Sequence, residues 1–312
     1  MFDAHAHLQD ERFDACRAAV LAAAVQAGVR GVCSCGSSPA DWARLADLAA
    51  PVRTAECGMR NGETEAPIPE LMIPRSALRI PHSALFVLPA FGVHPWYAGP
   101  LPPDWRERLG DLLARHPDAP VGEIGLDGLR DDPPREAQRA VLLAQQELAV
   151  RLGRPVVLHG ARAWGELLEA LRPFAPRLPG FVAHAFGGSE DLLRQVAALG
   201  GCVSFAGPAC NPAARRVRAA AAAAPAARLL IETDAPDMAP RAERGVPRAE
   251  CGVRSAAGGV PADLNHPANL VAVCRAVAEL RGVPFEEIAA LTAANARRVY
   301  RLGAEATPRP GG

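Results

Sequence analysis

The sequence has no lysine, no long apolar run and no export signal. Its 34 basic residues are all arginine and balance 34 acidic residues, which gives a formal net charge of zero. A balanced charge provides no overall attraction to polyanions. The alanine tract Ala219–Ala224 is far shorter than a membrane-spanning helix, and no basic segment followed by an apolar core opens the chain. These absences predict a cytoplasmic protein without membrane association.

Cysteine is also sparse. The 8 cysteines among 312 residues are below the density of a disulfide-stabilised domain, and we interpret them as reduced thiols. Cys33 and Cys35 form a C-x-C pair that no second pair at zinc-site spacing accompanies. We interpret both as small strand residues on opposite faces of the sheet.

Eight short apolar runs, each bounded by turn residues, predict strands. They are Phe2–Leu8, Val29–Gly36, Leu85–Val93, Pro120–Leu126, Pro155–His159, Gly180–Ala185, Cys202–Phe205 and Leu229–Thr233. Continuous apolar runs of this length are typical of strands covered on both faces. Helical patterns lie between many of them, namely Ala15–Ala27, Pro39–Ala50, Pro134–Leu152 and Asp191–Leu199, and Ser189 is a suitable N-cap for the last.

This alternation predicts an α/β fold, a closed (β/α)8 TIM barrel with a parallel sheet. An open doubly wound sheet is the alternative, although no G-x-G-x-x-G follows the first strand. We expect one domain over residues 1–303, with long loops near 56–84 and 237–265 and a flexible tail over 304–312. Two helices, Pro267–Arg281 and Pro284–Arg301, complete the domain.

Histidines and carboxylates fall at the predicted strand ends. His5 and His7 form H-x-H on the first strand, where a period of two places both side chains on one face. The other positions are His94, Glu123, His159, His184 and Asp234. The C-terminal strand ends of a barrel converge on one rim, so these side chains are expected to share a cavity.

Imidazole and carboxylate together suit divalent metal ions. Buried carboxylates such as Glu123 and Asp234 also need a cation beside them, because an unpaired buried charge is costly. The candidate ligands outnumber those of one tetrahedral ion and suit a dinuclear site for two divalent ions, and the sequence does not distinguish Zn, Mn, Mg, Fe and Co. They are His5, His7, Glu123, His159, His184 and Asp234.

Six strings occur in a fixed order along the chain. They are FDAHAHL, FGVHPW, VGEIGLD, PVVLH, AHAFGGS and ETDAP. Together they resemble the TatD family of metal-dependent hydrolases from Phe2 to about Tyr300. The resemblance implies a TIM barrel with a deoxyribonuclease-like activity. It also implies two ligand sets that share Glu123 as a bridge, namely His5, His7, Glu123 and Asp234 for one ion and Glu123, His159 and His184 for the other.

Three positions depart from the family's usual pattern. Gly128 stands where Tyr is common, Arg162 follows His159 by three residues rather than two, and 265–267 read Asn-His-Pro rather than Asn-Glu-Pro. All three lie outside the predicted ligands, so they bear on substrate contacts.

The pattern and the resemblance predict a deoxyribonuclease in which a metal-activated water cleaves a phosphodiester bond of DNA. Asp234 and Glu123 are the candidate catalytic residues, with Asp234 orienting the water or accepting its proton. His94 and Arg162 are expected to contact the phosphate.

Further residues near the rim have candidate roles. Asp127 is expected to hydrogen-bond a ligand histidine, and Trp96 and Trp164 could stack on a base. We expect a monomer without a partner protein.

Two other functions fit the same residues. A related barrel hydrolase could cut an ester or amide bond, including an aminoacyl ester, and the neutral charge and the departures at Gly128 and Arg162 favour it. A catalytically idle barrel that only binds a partner is the other alternative, and the intact set of ligands disfavours it.

Overall fold

Eight parallel strands form the centre of the protein. The computed structural model describes residues 1–49, 85–240, 260–261 and 264–303. Its strands are β1 Phe2–Ala6, β2 Gly31–Cys35, β3 Phe86–Ala90, β4 Val121–Asp127, β5 Val156–Ala161, β6 Phe181–Ala183, β7 Cys202–Phe205 and β8 Leu229–Ile231. Each predicted apolar run overlaps one of these strands. The predicted loop 56–84, most of 237–265 and the tail 304–312 lie outside the described residues.

The sheet closes on itself. Hydrogen bonds link β1–β2–β3 and β4–β5–β6–β7–β8 as two parallel sheets. At one seam Gly122 N donates to Phe91 O at 3.0 Å, and at the other Asp234 N donates to His5 O at 3.0 Å. The result is the predicted eight-stranded barrel, and the closure excludes the open doubly wound sheet.

Helices surround this barrel. Within the described ranges they are α1 Arg17–Gln26, α2 Trp42–Ala49, α3 Trp105–Arg115, α4 Arg135–Leu152, α5 Trp164–Leu171, α6 Glu190–Ala198, α7 Arg215–Ala223, α8 Leu270–Arg281 and α9 Phe285–Val299. The Ser189 hydroxyl accepts a hydrogen bond from Leu192 N at 3.3 Å and caps α6 as predicted. Among the helices of the described residues, none combines the length and apolarity that crossing a bilayer needs.

Apolar side chains fill two layers. The larger layer lies between strands and helices and includes Leu45, Leu109 and Leu167. The smaller one lies inside the barrel, where Cys33 and Cys35 bring their sulfur atoms within 4.0 Å of each other. The prediction of opposite faces is therefore wrong, because residues two apart on a strand share a face.

Candidate metal centre at the barrel rim

The C-terminal rim holds all seven histidines and carboxylates that the sequence places at strand ends. They are His5, His7, His94, Glu123, His159, His184 and Asp234, and most of them are buried. All but His5, which lies deeper, line one cavity of about 430 Å³. The residues converge because six different strands end at the same rim, as the barrel geometry predicts.

The Glu123 carboxylate lies at the middle of this cluster. Its Oε1 is 2.7 Å from His184 Nε2 and 2.8 Å from His159 Nδ1. Its Oε2 is 3.3 Å from His5 Nε2 and 3.4 Å from His7 Nε2. Each carboxylate oxygen therefore faces a different group of histidines: Oε2 faces the predicted pair His5 and His7, and Oε1 faces the predicted pair His159 and His184 together with His94 at 3.4 Å.

The donor atoms are close enough to surround a small cation. Three groups of three residues each bring one ligand atom per residue within 4.8 Å of one another. The groups are His5, His184 and Asp234; His5, His7 and Glu123; and His94, Glu123 and His159. Nitrogen and carboxylate oxygen are the donors that Zn, Mn, Fe and Co accept in proteins, so the residues present fit a divalent metal.

Irregular backbone aims several of these side chains. The register of β1 against β2 shifts between Asp3 and Ala6, around His5. The register of β4 against β5 shifts between Val121 and Ile124, around Glu123. Such bulges turn a side chain away from the regular pleat, and they are frequent beside active sites.

The backbone of Asp234 is also unusual, because its φ of +55° lies in the left-handed region. That region is uncommon for residues other than glycine and occurs at sites where the surroundings enforce it. Here Asn265 ties the segment down, since its Nδ2 donates to Thr233 O at 2.8 Å and to Asp237 O at 2.6 Å. The departure at 265–267 thus lies against the loop that carries Asp234.

Hydrogen bonds on the outer side of two histidines fix which ring nitrogen faces the cavity. His7 Nδ1–H donates to Cys35 O at 2.7 Å, which leaves Nε2 free toward Glu123. His159 Nε2–H donates to Asp127 Oδ2 at 3.0 Å, which leaves Nδ1 free on the inner side. The predicted bond from Asp127 to a ligand histidine is therefore present, and it has the arrangement that orients metal-ligating imidazoles.

His94 has the opposite arrangement. Its Nδ1 accepts a hydrogen bond from Trp96 N at 3.1 Å, so the proton of the neutral ring is on Nε2. That Nε2 lies 3.4 Å from Glu123 Oε1 and faces the cavity. Burial lowers the pKa of His94 to about 4, so the ring is neutral near pH 7. His94 therefore presents a hydrogen-bond donor, which suits the predicted contact with a phosphate oxygen.

The charged groups strongly perturb one another. Burial alone would raise the pKa of Glu123, but the histidines around it, His184 foremost, hold that pKa well below its usual value. Burial would lower the pKa of His184, but the Glu123 carboxylate raises it well above its usual value. Burial lowers the pKa of His5 to about 4 and raises the pKa of Asp234 to about 7. Without a metal ion, protons on His184 and Asp234 offset part of the negative charge.

These protons predict a pH-dependent metal affinity. A ligating imidazole or carboxylate must be deprotonated, so an ion has to displace the protons of His184 and Asp234. Both pKa values are raised, so we expect affinity to fall as the pH drops through them, about tenfold per pH unit for each displaced proton. Chelator competition on metal-stripped protein at about pH 6 to 8 measures this. His116→Gln, on the outside of the barrel, serves as the control, and a pH-independent affinity would contradict the prediction.

Sequence reasoning did not identify Glu232 as part of the site. Its buried carboxylate accepts hydrogen bonds from the Ser204 hydroxyl and from Ala185 N, and it lies 3.5 Å from His184 Nδ1. It thus braces His184 from behind. The sequence signal that could have identified Glu232 is the presence of an acidic residue within the apolar run at the end of β8.

An ion-pair network at the cavity mouth was also missed. Arg12 Nη2 donates to Asp10 Oδ2 at 2.9 Å and to Asp237 Oδ2 at 2.7 Å. All three residues line the cavity. Because 225 positions separate Arg12 from Asp237, no local pattern in the sequence could have paired them.

Two predicted substrate contacts have other surroundings. Arg162 is exposed just after β5 with a φ of +49° and is not among the described residues that line the cavity. Trp164 is buried, with its ring centroid 5.1 Å from that of Phe186, so it packs in the core rather than against a substrate. Gly128 has little room for a side chain, since a Cβ there would lie 3.0 Å from Arg162 O. The phosphate contact of Arg162 stays a prediction.

Comparison with known proteins identifies one family. Residues 2–301 match the family described as TatD related DNase. The chain is 36% identical over 220 residues to the 3'-5' ssDNA/RNA exonuclease TatD of Erwinia billingiae, covering 68% of this chain and 77% of that one. It is 29% identical over 217 residues to the uncharacterized metal-dependent hydrolase YabD of Bacillus subtilis, covering 70% of this chain and 78% of that one.

Solved structures share the architecture. The YJJV TatD homologue of Escherichia coli superposes with a TM-score of 0.75 at 29% identity, covering 97% of this chain and 98% of that one. A TatD family hydrolase of Entamoeba histolytica superposes with a TM-score of 0.76 at 17% identity, covering 96% of this chain and 97% of that one, which shows a common fold.

Proposed function

The chain belongs to the TatD-related DNase family of metal-dependent hydrolases, and we propose that it is a metal-dependent exonuclease acting on single-stranded DNA or RNA. The observation that carries the proposal is the Glu123 carboxylate, whose two oxygens face separate groups of histidines at the barrel rim. The named exonuclease among its relatives supports this substrate class. A cytoplasmic monomer with a single domain over residues 1–303 belongs to the same proposal.

Two divalent ions would be held by Glu123 together with the histidines and Asp234. Ions bound there would lower the pKa of a water molecule and offset the charge of the phosphodiester oxygens. Asp234 is then the proton acceptor, because its carboxylate lines the cavity 3.4 Å from His5 Nε2 and 3.6 Å from His7 Nε2, beside the groups that would hold the ions.

His94 is the proposed phosphate contact. Its Nε2–H faces the cavity, and the hydrogen bond from Trp96 N holds the ring in that orientation. A buried neutral donor stabilises charge that develops on a phosphate oxygen, because it is fixed before the reaction and little water competes for it.

The test is hydrolysis by chelator-stripped protein before and after a divalent metal is restored. We expect mononucleotides from a single-stranded oligonucleotide, and cleavage of bis-p-nitrophenyl phosphate, only in the restored sample. His159→Ala should lose this activity, and His116→Ala, outside the cavity, should keep it. Hydrolysis of p-nitrophenyl acetate or an aminoacyl ester without any nuclease activity would instead establish the ester or amide hydrolase.

A further inference from the structure

A second pocket of about 640 Å³ adjoins the metal cavity. Trp96 and Tyr97 line both, so the two pockets meet at these residues. The segment at 38–40 after β2 and the segment at 130–133 after β4 form other walls of the second pocket. Its volume is within the range of roughly 300–1,000 Å³ that small-molecule sites occupy, so it has room for one nucleotide unit.

Large exposed apolar side chains concentrate at this rim. Within the part of the chain that the structure describes, they are Phe86, Trp96, Tyr97, Leu129 and Met238. All except Phe86 line the metal cavity. Single exposed apolar residues are ordinary, but a group around one cavity indicates contact with a ligand that has apolar faces.

One flat surface of the second pocket is already assembled. The Arg130 guanidinium lies over the Trp96 indole, 3.7 Å from the ring centroid. The indole is itself fixed, because its Nε1 donates to Asp127 Oδ2 at 2.6 Å. The same Asp127 oxygen accepts from His159 Nε2. The stack is thus held in a set position relative to the Glu123 cluster.

The charges of the pocket favour an anionic chain. Arg108 and Arg130 line it against a single acidic residue, Asp132. Guanidinium planes and aromatic rings are the surfaces on which proteins stack unpaired bases, and arginine also attracts the phosphate backbone. A base that follows the scissile phosphate along a single strand has an uncovered flat face for stacking and a phosphate beside it for the arginines.

We propose that this pocket binds one nucleobase of the strand under hydrolysis, stacked on the Trp96–Arg130 pair with Arg108 beside the backbone. The inference rests on the proposed function and names the part of the substrate that lies next to the metal cavity. A paired base has its faces covered by its neighbours in the duplex, so the pocket selects single-stranded substrates. Arg130 acts by stacking its planar guanidinium on the base. The ammonium group of lysine has the same charge but no planar surface, so lysine does not replace it.

Binding tests the pocket without catalysis. Single-stranded oligonucleotides that carry 2-aminopurine at successive positions are added to metal-stripped protein, and quenching of their fluorescence is recorded. We expect strong quenching at one position, lost in Arg130→Gln and in Arg130→Lys but retained in Arg194→Gln, an exposed arginine on α6. Quenching that is unchanged in both Arg130 variants would overturn the proposal, as would full retention in Arg130→Lys alone.

Cleavage of abasic oligonucleotides separates this proposal from the proposed function. One abasic position should lower kcat/KM about tenfold in the natural protein, and that penalty should vanish in Arg130→Gln. Cleavage of oligonucleotides with no abasic penalty at any position would overturn the pocket and leave the nuclease standing. Failure to cleave any oligonucleotide or bis-p-nitrophenyl phosphate would overturn the nuclease, while the quenching result still decides the pocket.

Discussion

The Glu123→Ala variant is expected to lose both bound metal and hydrolysis. Glu123 is buried, and each of its oxygens faces a different group of histidines. Removing the carboxylate would take a ligand from each of the two proposed ions and leave the histidines without the negative charge between them. Loss of several kcal/mol of charge stabilisation corresponds to a fall of about 10³-fold or more in rate.

Metal per chain and oligonucleotide cleavage measure this result side by side. Glu166→Ala, on the exposed surface of α5, is the matched control and should keep both. Glu123→Gln keeps the volume of the side chain but removes its charge. The same loss of metal and cleavage in this variant would show that the charge, and not the packing, is required. Normal metal content and a normal cleavage rate in Glu123→Ala would show that Glu123 is not part of the metal centre.

The Asp234→Asn variant is expected to keep metal and lose turnover. Asparagine preserves the size of the side chain and an oxygen donor but neither the charge nor the ability to accept a proton. The remaining histidines and Glu123 are unchanged and still offer a ligand set around each Glu123 oxygen. A lost general base typically lowers the rate by about 10²-fold or more.

The decisive comparison is kcat against metal content. Asp191→Asn, an exposed position in the first turn of α6, is the matched control. Near-normal kcat with metal retained would show that Asp234 is a ligand only and that the base lies elsewhere on the rim.

The strands were predictable because buried parallel strands are continuous apolar runs, and all eight runs hold a strand. Three helices were not predicted. α5 is only 8 residues long, and α7, Arg215–Ala223, is 9 residues long and mostly alanine. α3, Trp105–Arg115, follows directly on a proline-rich stretch. Short helices form through packing against the sheet, which local sequence does not record.

The candidate ligands were predictable because strand ends of a barrel share one rim. Their detailed arrangement was not. The bulges around His5 and Glu123 depend on pairing with neighbouring strands, and the position of Arg162 depends on a left-handed turn. Trp164 follows shortly after the rim residue His159 in the sequence. Its position at the start of α5 nevertheless directs its ring into the core.

One titration tests the central claim, that the Glu123 cluster is the metal centre of a nuclease. Mn²⁺ is added stepwise to metal-stripped protein, and bound ions per chain and cleavage of a single-stranded oligonucleotide are measured in the same samples. Cleavage should be absent at first and rise to a plateau at two ions per chain, and His159→Ala should reach neither value. Full cleavage in excess chelator, or the same plateau in His159→Ala, would contradict it.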